Sequence, residues 1–308
     1  MRFRENYFLA LLTCLAIFLI CLQLPGKAED KIRLLENRLV EQLAAINDSF
    51  DGVLGLAVKD LSTGKTFFIN ENESFPQASS IKIAILLEVL KQAEEKRLQL
   101  EDFIELKPED KVGGGLILAY LGRPSLKISI YDLCVLMVVL SDNTATNLLI
   151  DQVGMESVNK RLESLGLPST RLKRKMMDLT AAAEGRENIS TPVEMMKLLE
   201  RIWQGKILKS EYRQQFFNLL ALPKDSPLQR AVPEGTIVAD KPGELEAVRC
   251  DSGIVILKHH PYLICVMTTY LLSETEGNTV ITKIGRLVFN HFDRLERSSK
   301  YGRIISER

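Results

Sequence analysis

Cysteine is scarce in this chain. There are five in 308 residues, and two of them, Cys14 and Cys21, sit inside an apolar N-terminal run. The other three, Cys134, Cys250 and Cys265, are too few for a disulfide framework. Cys134 lies in an apolar helical stretch and reads as buried packing. Cys250 and Cys265 would pair only if neighbouring strands brought them together. Histidine is scarcer still, with three residues. His259 and His260 are adjacent, so on a strand they would face opposite ways. Neither they nor His291 have an acid or cysteine at ligand spacing, and no metal is expected. Charge of one sign is also lacking. The 40 basic residues are matched by 40 acidic ones, which gives no case for a nucleic-acid partner. The glycine-rich stretch KVGGGLILAYLG (residues 111–122) lacks the G-K-[ST] ending of a phosphate loop and reads as a turn. There is no internal repeat and no low-complexity linker.

What remains is an ordinary globular composition, 46% hydrophobic and 26% charged, preceded by a distinct leader. A short basic start, MRFRENY, runs into an uncharged apolar stretch from Phe8 to Pro25 and then into GKAED. Gly26 and Ala28 have the small-residue spacing of an export cleavage site, so residues 1–28 read as a signal peptide cut after Ala28. An uncut N-terminal membrane anchor is the alternative, because the run is near spanning length. Thr13 and Ile20 precede the two leader cysteines where a lipidated cysteine usually follows a smaller residue. Outside the leader, 37 basic residues face 39 acidic ones.

Hydrophobic periodicity predicts the elements. Residues 31–48 read as an amphipathic helix. GVLGLAVKDL and GKTFFINEN read as a hairpin joined at STG. From Ser79 the chain IKIAILLEVLKQAEEKRLQL reads as one helix, apolar all round in its first half and therefore buried there. Residues 129–154 give two helices broken at Ser141-Asp142-Asn143, and MESVNKRLESLGL a further one. Residues 170–190 lack steady periodicity and read as a loop. STPVEMMKLLERIWQG opens with a helix-start signal. Residues 235–272 read as three strands rich in Val, Ile, Leu and Thr, followed by a closing helix. The tail, residues 298–308, is polar and expected to fray. Strands from both ends can share one antiparallel sheet. The expectation is an α/β lobe built from both ends, with an all-helical lobe inserted at about residues 80–222, within one domain spanning residues 29–297.

Three polar clusters interrupt these apolar elements. Ser79 and Lys82 are three apart and share a helix face, so the amine can reach the hydroxyl. A lysine held among apolar groups loses basicity, and its neutral amine can act as a base. The bland reading makes Ser79 or Ser80 a helix cap and puts Lys82 on a wet face. Ser141-Asp142-Asn143 is a polar knot between apolar helices, and Lys241-Pro242-Gly243 lies on a predicted strand. Serine acyl transfer needs a nucleophile, a base, a proton path and an oxyanion site. Ser79 and Lys82 could supply the first two, Ser141 a proton path, and Asn143 a contact to a substrate amide. Lys241 could attract a substrate carboxylate, and Gly243 would let a substrate lie against the strand. Asp142 reads as a brace for its loop. Tyr120 and Tyr131 either wall this site or belong to the core.

S-x-x-K, S-D-N and K-T-G in that order form the signature of class A β-lactamases and penicillin-binding proteins. This chain has Ser79-Ser80-Ile81-Lys82, Ser141-Asp142-Asn143 and Lys241-Pro242-Gly243, and its flanks LSDNTATNLLI, TRLKR, STP and VADKPG also resemble class A segments. The resemblance covers roughly residues 31–295. It implies a two-lobed α/β fold in which a five-stranded antiparallel sheet is flanked by helices and carries an inserted helical lobe. It implies a bacterial, exported serine hydrolase with Ser79 as nucleophile, Lys82 as base or relay and Ser141 as proton shuttle. Asn143 would bind substrate and Lys241 would anchor a carboxylate. The N–H groups of Ser79 and Glu244 would form the oxyanion hole. The implied partner is a small β-lactam or a cell-wall peptide. No cofactor, membrane contact only through the leader, and a monomer are expected.

The chain departs from that pattern in two places. Aligned on TRLKR, the family's deacylating glutamate falls on Met176 and its companion asparagine on Thr180. Asp178 is the nearest substitute acid, and its alternative is a solvated loop residue. Pro242 replaces the usual Thr or Ser, removing a hydroxyl and a backbone N–H beside Lys241. Arg249 either compensates or is an exposed structural arginine. With no base for the second step, deacylation is expected to be slow. A cell-wall peptide hydrolase or penicillin-binding protein, and a non-catalytic sensor on the same fold, are the rival expectations.

Overall fold

A computed structural model describes residues 27–114, 117–122, 125–299 and 301–304. Residues 1–26 of the leader lie outside the described residues, and with them the apolar run on which both readings of it rest. Among those residues no helix is long and apolar enough to cross a membrane.

The chain opens with α1 (Lys27–Ser49), then the hairpin β1 (Val53–Asp60) and β2 (Thr66–Ile69), and a two-residue β3 (Phe75–Pro76). A 3-10 turn (Ala78–Ile81) leads into α2 (Lys82–Glu94). Next come β4 (Phe103–Leu106), β5 (Leu126–Ser129), α3 (Ile130–Val139), α4 (Asn143–Val153) and α5 (Met155–Ser164). The segment read as a loop holds a short helix, α6 (Leu179–Ala183), before β6 (Ile189–Ser190) and α7 (Pro192–Trp203). Two helices that periodicity did not flag follow, α8 (Ser210–Leu220) and α9 (Pro227–Ala231). The chain closes with β7 (Ile237–Leu245), β8 (Val248–Ile256), β9 (Tyr262–Thr269) and α10 (Glu274–Arg297).

Five strands form one antiparallel sheet in the order β2-β1-β9-β8-β7. The N-terminal hairpin thus joins the three C-terminal strands, as expected. Side chains alternate between the two faces of a strand, and two apolar clusters follow from that. Leu54, Leu56, Val58, Ile264 and Val266 meet α1 and α10 on one face. Ala57, Leu263, Cys265 and Met267 meet α2, α7 and the inserted segment on the other. Each fully buried Leu or Ile contributes about 1.5–3 kcal/mol relative to exposure, so both faces anchor the sheet.

Several expectations need correction. The inserted segment is not purely helical, because β4 pairs with β5 and β3 with β6 in two small sheets. The segment read as one helix from Ser79 begins as a 3-10 turn, and α2 ends at Glu94 rather than Leu100. His259 and His260 lie in the connection between β8 and β9, where His260 faces Asp60. Cys250 and Cys265 sit on adjacent strands but two residues out of register, and both are free thiols. Part of the tail folds back, with Ser298 bridging Ile304 and Lys31 donating to the Tyr301 carbonyl.

Candidate active site

The site is assembled where β7 at the sheet edge meets the 3-10 turn and the break between α3 and α4. Ser80 does not cap a helix. Its hydroxyl donates to the Lys241 carbonyl at 2.8 Å, tying the turn to β7. Gly243 makes that approach feasible, since a Cβ there would lie 2.6 Å from the Gln77 carbonyl and 3.0 Å from the Ser79 nitrogen. Only glycine lets two backbones approach this closely. The edge position of β7 also explains how Pro242 is tolerated within a strand.

Lys82 is 1% exposed, which removes the wet-face reading. Its Nζ donates to the Ser141 carbonyl at 2.8 Å, the Ser141 Oγ at 3.0 Å and the Asn143 Oδ1 at 3.2 Å. Ser141 Oγ in turn donates to Ser79 Oγ at 2.7 Å. The lysine therefore reaches the Ser79 hydroxyl through Ser141. Lys241 is equally buried and donates to Ser141 Oγ at 3.2 Å and to the Pro242 carbonyl at 3.1 Å. One hydroxyl thus bridges two lysines and a serine. A hydroxyl has one proton and two lone pairs and rotates freely, so it can pass a proton in either direction.

Two cations at one hydroxyl disfavour each other. Burial, then the Lys241 charge, holds the Lys82 amine well below the usual lysine range. Burial and the Lys224 charge bring Lys241 down to about 8. Lys82 is the better candidate for a neutral amine, and Lys241 for a cation at neutral pH.

Backbone strain marks the corners of this site. Ala78, Ser141 and Met177 have φ of 45°, 54° and 63°. Non-glycine residues in the left-handed region cost on the order of 1–3 kcal/mol and cluster at functional sites. At Ser141 this conformation lies immediately before Asp142, whose carboxylate caps α4 at Ala145 N, 2.9 Å. The other Asp142 oxygen accepts from Leu118 N at 3.1 Å. Asn143 donates to the Gly114 carbonyl at 3.2 Å. Asp142 and Asn143 thereby hold the glycine-rich turn as one wall of the site.

Asn147, one helical turn after Asn143, was not singled out from sequence. Its Oδ1 accepts from Met176 N at 2.8 Å and its Nδ2 donates to the Met176 carbonyl at 3.1 Å. The i, i+4 spacing on α4 was the available signal. This clasp holds Met176, 7% exposed, beside the α4 wall. Asn147→Ala should destabilise the protein by about 1–3 kcal/mol, because it orphans a buried N–H and a buried carbonyl. Denaturant titration would read this as a lower midpoint with an unchanged slope.

Other candidates lie away from the cluster. Asp178 is exposed, and its carboxylate caps α6 at Ala181 N, 2.9 Å. Thr180 is on that short helix and exposed. Glu244 follows Gly243 on β7, its side chain largely in solvent. Arg249 is neither exposed nor free. Its guanidinium is buried, donates to the Leu245 and Val248 carbonyls at 2.7 Å each, and pairs with Glu274 at 2.8 Å. Tyr120 and Tyr131 are both exposed and belong to no core. A concavity of about 1060 Å³ lies between α1, α10 and the tail. It brings no buried lysine to a serine. Among the described residues no group of three or more His, Cys, Asp or Glu is placed to hold a metal ion.

A buried lysine, a bridging hydroxyl and a serine meet between an antiparallel sheet and a helical insertion, an arrangement like that of α/β serine acyl hydrolases. Comparison with known proteins makes this specific: the model of the β-lactamase enzyme family matches residues 38–292, and the chain belongs to that family. β-Lactamases are among its relatives. The imipenem-hydrolyzing β-lactamase of Enterobacter cloacae is 27% identical over 82% of this chain and 89% of its own. β-Lactamase SME-1 of Serratia marcescens is 24% identical over 90% and 96%. Among solved structures, a β-lactamase from Sphaerobacter thermophilus has a TM-score of 0.75 at 29% identity, covering 80% of this chain and 95% of its own. PBP-A has a TM-score of 0.76 at 25% identity, covering 83% and 96%.

Proposed function

We propose that this β-lactamase-family hydrolase is acylated at Ser79 by β-lactams or related amides and releases the acyl group slowly. The observation that carries the reading is the hydrogen-bonded path from Ser79 through Ser141 to the buried Lys82. A neutral Lys82 accepts the Ser79 proton through Ser141 as Ser79 Oγ bonds the carbonyl carbon. The same hydroxyl then returns the proton to the leaving nitrogen, so acylation leaves Lys82 neutral again. Lys241 attracts the substrate carboxylate, Asn143 binds its amide, and the N–H groups of Ser79 and Glu244 hold the oxyanion.

Deacylation needs a second base to activate water. Met176, at the position expected for that base, has no proton acceptor of the required strength, and Asp178 is engaged as a helix cap. The acyl-enzyme therefore accumulates, which favours a penicillin-binding or cell-wall peptide role over rapid drug clearance. Export by residues 1–28, cleaved or retained as an anchor, puts the domain beyond the bacterial cytoplasmic membrane, where such substrates lie.

Rapid mixing with a chromogenic cephalosporin tests this. The expected trace is a burst of one equivalent per protein followed by a slow steady state. Fast linear turnover would instead support an efficient lactamase, and absence of any burst a non-catalytic sensor.

A further inference from the structure

The concavity between α1, α10 and the tail is closed at one end by the β1–β2 turn. It belongs to the sheet face that α1 and α10 cover, opposite the face that meets α2 and the inserted segment. Leu35, Phe67, Phe292 and Leu295 give it an apolar floor. Ile32, Leu34, Tyr301 and Ile304 also line it, and they are 39%, 66%, 66% and 61% exposed. Large apolar side chains grouped in solvent mark a surface that meets a membrane or a partner.

The polar lining narrows that choice. Lys31, Arg38, Lys65, Arg294 and Arg297 face only two carboxylates, Glu36 and Asp60. Both carboxylates are engaged. Glu36 pairs with Lys65 at 2.7 Å, and Asp60 accepts from Thr63 at 2.9 Å and faces His260 at 3.2 Å. Lys31 donates to the Tyr301 carbonyl, and Arg297 pairs with Asp293. Among the described residues, Arg38 and Arg294 make neither a hydrogen bond nor an ion pair. They come from different helices, yet both also line a recess of about 210 Å³ between α1 and α10. Guanidinium groups suit phosphate oxygens, which they can bind through two parallel N–H bonds.

Position supplies the source of that phosphate. The apolar run of the leader ends at Pro25, two residues before α1 begins at Lys27. Lys31 lies about 6 Å along the helix axis from that start, at a rise of 1.5 Å per residue. A membrane engaged by the apolar run therefore adjoins this end of the molecule.

We propose that the concavity binds one anionic phospholipid, with its phosphate on Arg38 and Arg294 and part of an acyl chain along the apolar floor. The inference goes beyond acyl transfer and shares with that reading only the export of the chain to a membrane surface. Cationic side chains beside an anionic leaflet attract its headgroups over about a Debye length. The floor adds an apolar contribution that salt does not screen. A lipid held here leaves the active site uncovered, because the two lie on opposite faces of the sheet.

The test uses the full chain in mild detergent with added phosphatidylglycerol, and counts bound lipid by native mass spectrometry. One phosphatidylglycerol should be retained per molecule, at concentrations about tenfold below those needed for phosphatidylcholine. Arg38→Gln combined with Arg294→Gln should erase that preference. Both arginines are exposed, so the fold should survive the change. The leader is present in native and variant chains alike, so the difference between them reads the concavity alone. Acylation by a penicillin, followed on the same samples, should be equal in both, which keeps this result separate from the fate of the acyl-transfer reading. Equal retention of the two lipids, or unchanged retention in the double variant, would overturn the proposal. So would displacement by inorganic phosphate at the lipid's own concentration, which would make the ligand a free anion. A dimer in place of the lipid adduct, lost on the same substitutions, would assign the surface to a second copy of the chain and overturn it as well.

Discussion

Met176→Glu should speed hydrolysis of the acyl-enzyme by about 10²–10⁴-fold, the usual contribution of a positioned general base. The backbone at this position is already clamped by both ends of the Asn147 amide, at 2.8 and 3.1 Å. A carboxyl there would be largely buried, and desolvation raises a carboxyl pKa towards the range in which it both accepts and returns protons near neutrality. Methionine and glutamate are similar in length, so the substitution asks little of the packing. Acylation should be almost unchanged, because the path from Ser79 through Ser141 to Lys82 is untouched. Trapping the adduct, removing free drug and following decay would measure the step. A folded variant with the parental half-life would mean that the missing glutamate is not what slows release.

Lys82→Met should act on the other half-reaction. Removing the base is expected to lower the acylation rate by about 10²–10⁴-fold, and it should also stabilise the fold. Burial and Lys241 depress the Lys82 pKa in the folded state, so the unfolded chain binds that proton more tightly. The destabilisation this causes is absent above the unfolded value, grows as pH falls below it, and levels off below the folded value. Methionine fills most of the same space without an ionisable group. Melting curves across pH should therefore show the variant more stable at pH 7, with the gap closing as pH rises towards about 10.4, the unperturbed lysine value. A destabilised variant at neutral pH would mean that Lys82 is a structural residue rather than a functional one held at a cost.

The sheet and most helices were legible because their periodicity is strong. β1, β7, β8 and β9 are rich in β-branched and aliphatic residues, and each buries both faces, so short apolar runs identified them. The STG hairpin and the Thr191-Pro192 helix start are local signals that tertiary packing did not override. Less was legible where a side chain has two local options. Ser80 looked like a cap, but the approach of β7 offered its hydroxyl the Lys241 carbonyl instead. Arg249 could be read from sequence either as a substitute for the missing substrate contacts or as an exposed structural residue, yet the β7–β8 turn folds the Leu245 and Val248 carbonyls around the guanidinium. Helix α6 was missed because five residues carry almost no periodic signal, although Asp178 is a conventional N-cap.

Within the site, the three motifs named the residues but not their connections. Spacing on a helix suggested direct contact between Lys82 and Ser79. The left-handed turn at Ser141 instead inserts a hydroxyl between them. The Asn147 clasp joins residues 29 apart in sequence, and no local pattern reveals such a partner. Its chemistry is visible only once the donors and acceptors of each buried polar group are matched.

The most direct measurement is intact-protein mass over time after mixing with benzylpenicillin, followed by peptide mapping, in the native chain and in Ser79→Ala. The account predicts one penicilloyl adduct per native molecule, mapped to Ser79, persisting after free drug is removed, and none on the alanine variant. An adduct elsewhere, equal labelling of both proteins, or no adduct on the native chain would contradict it.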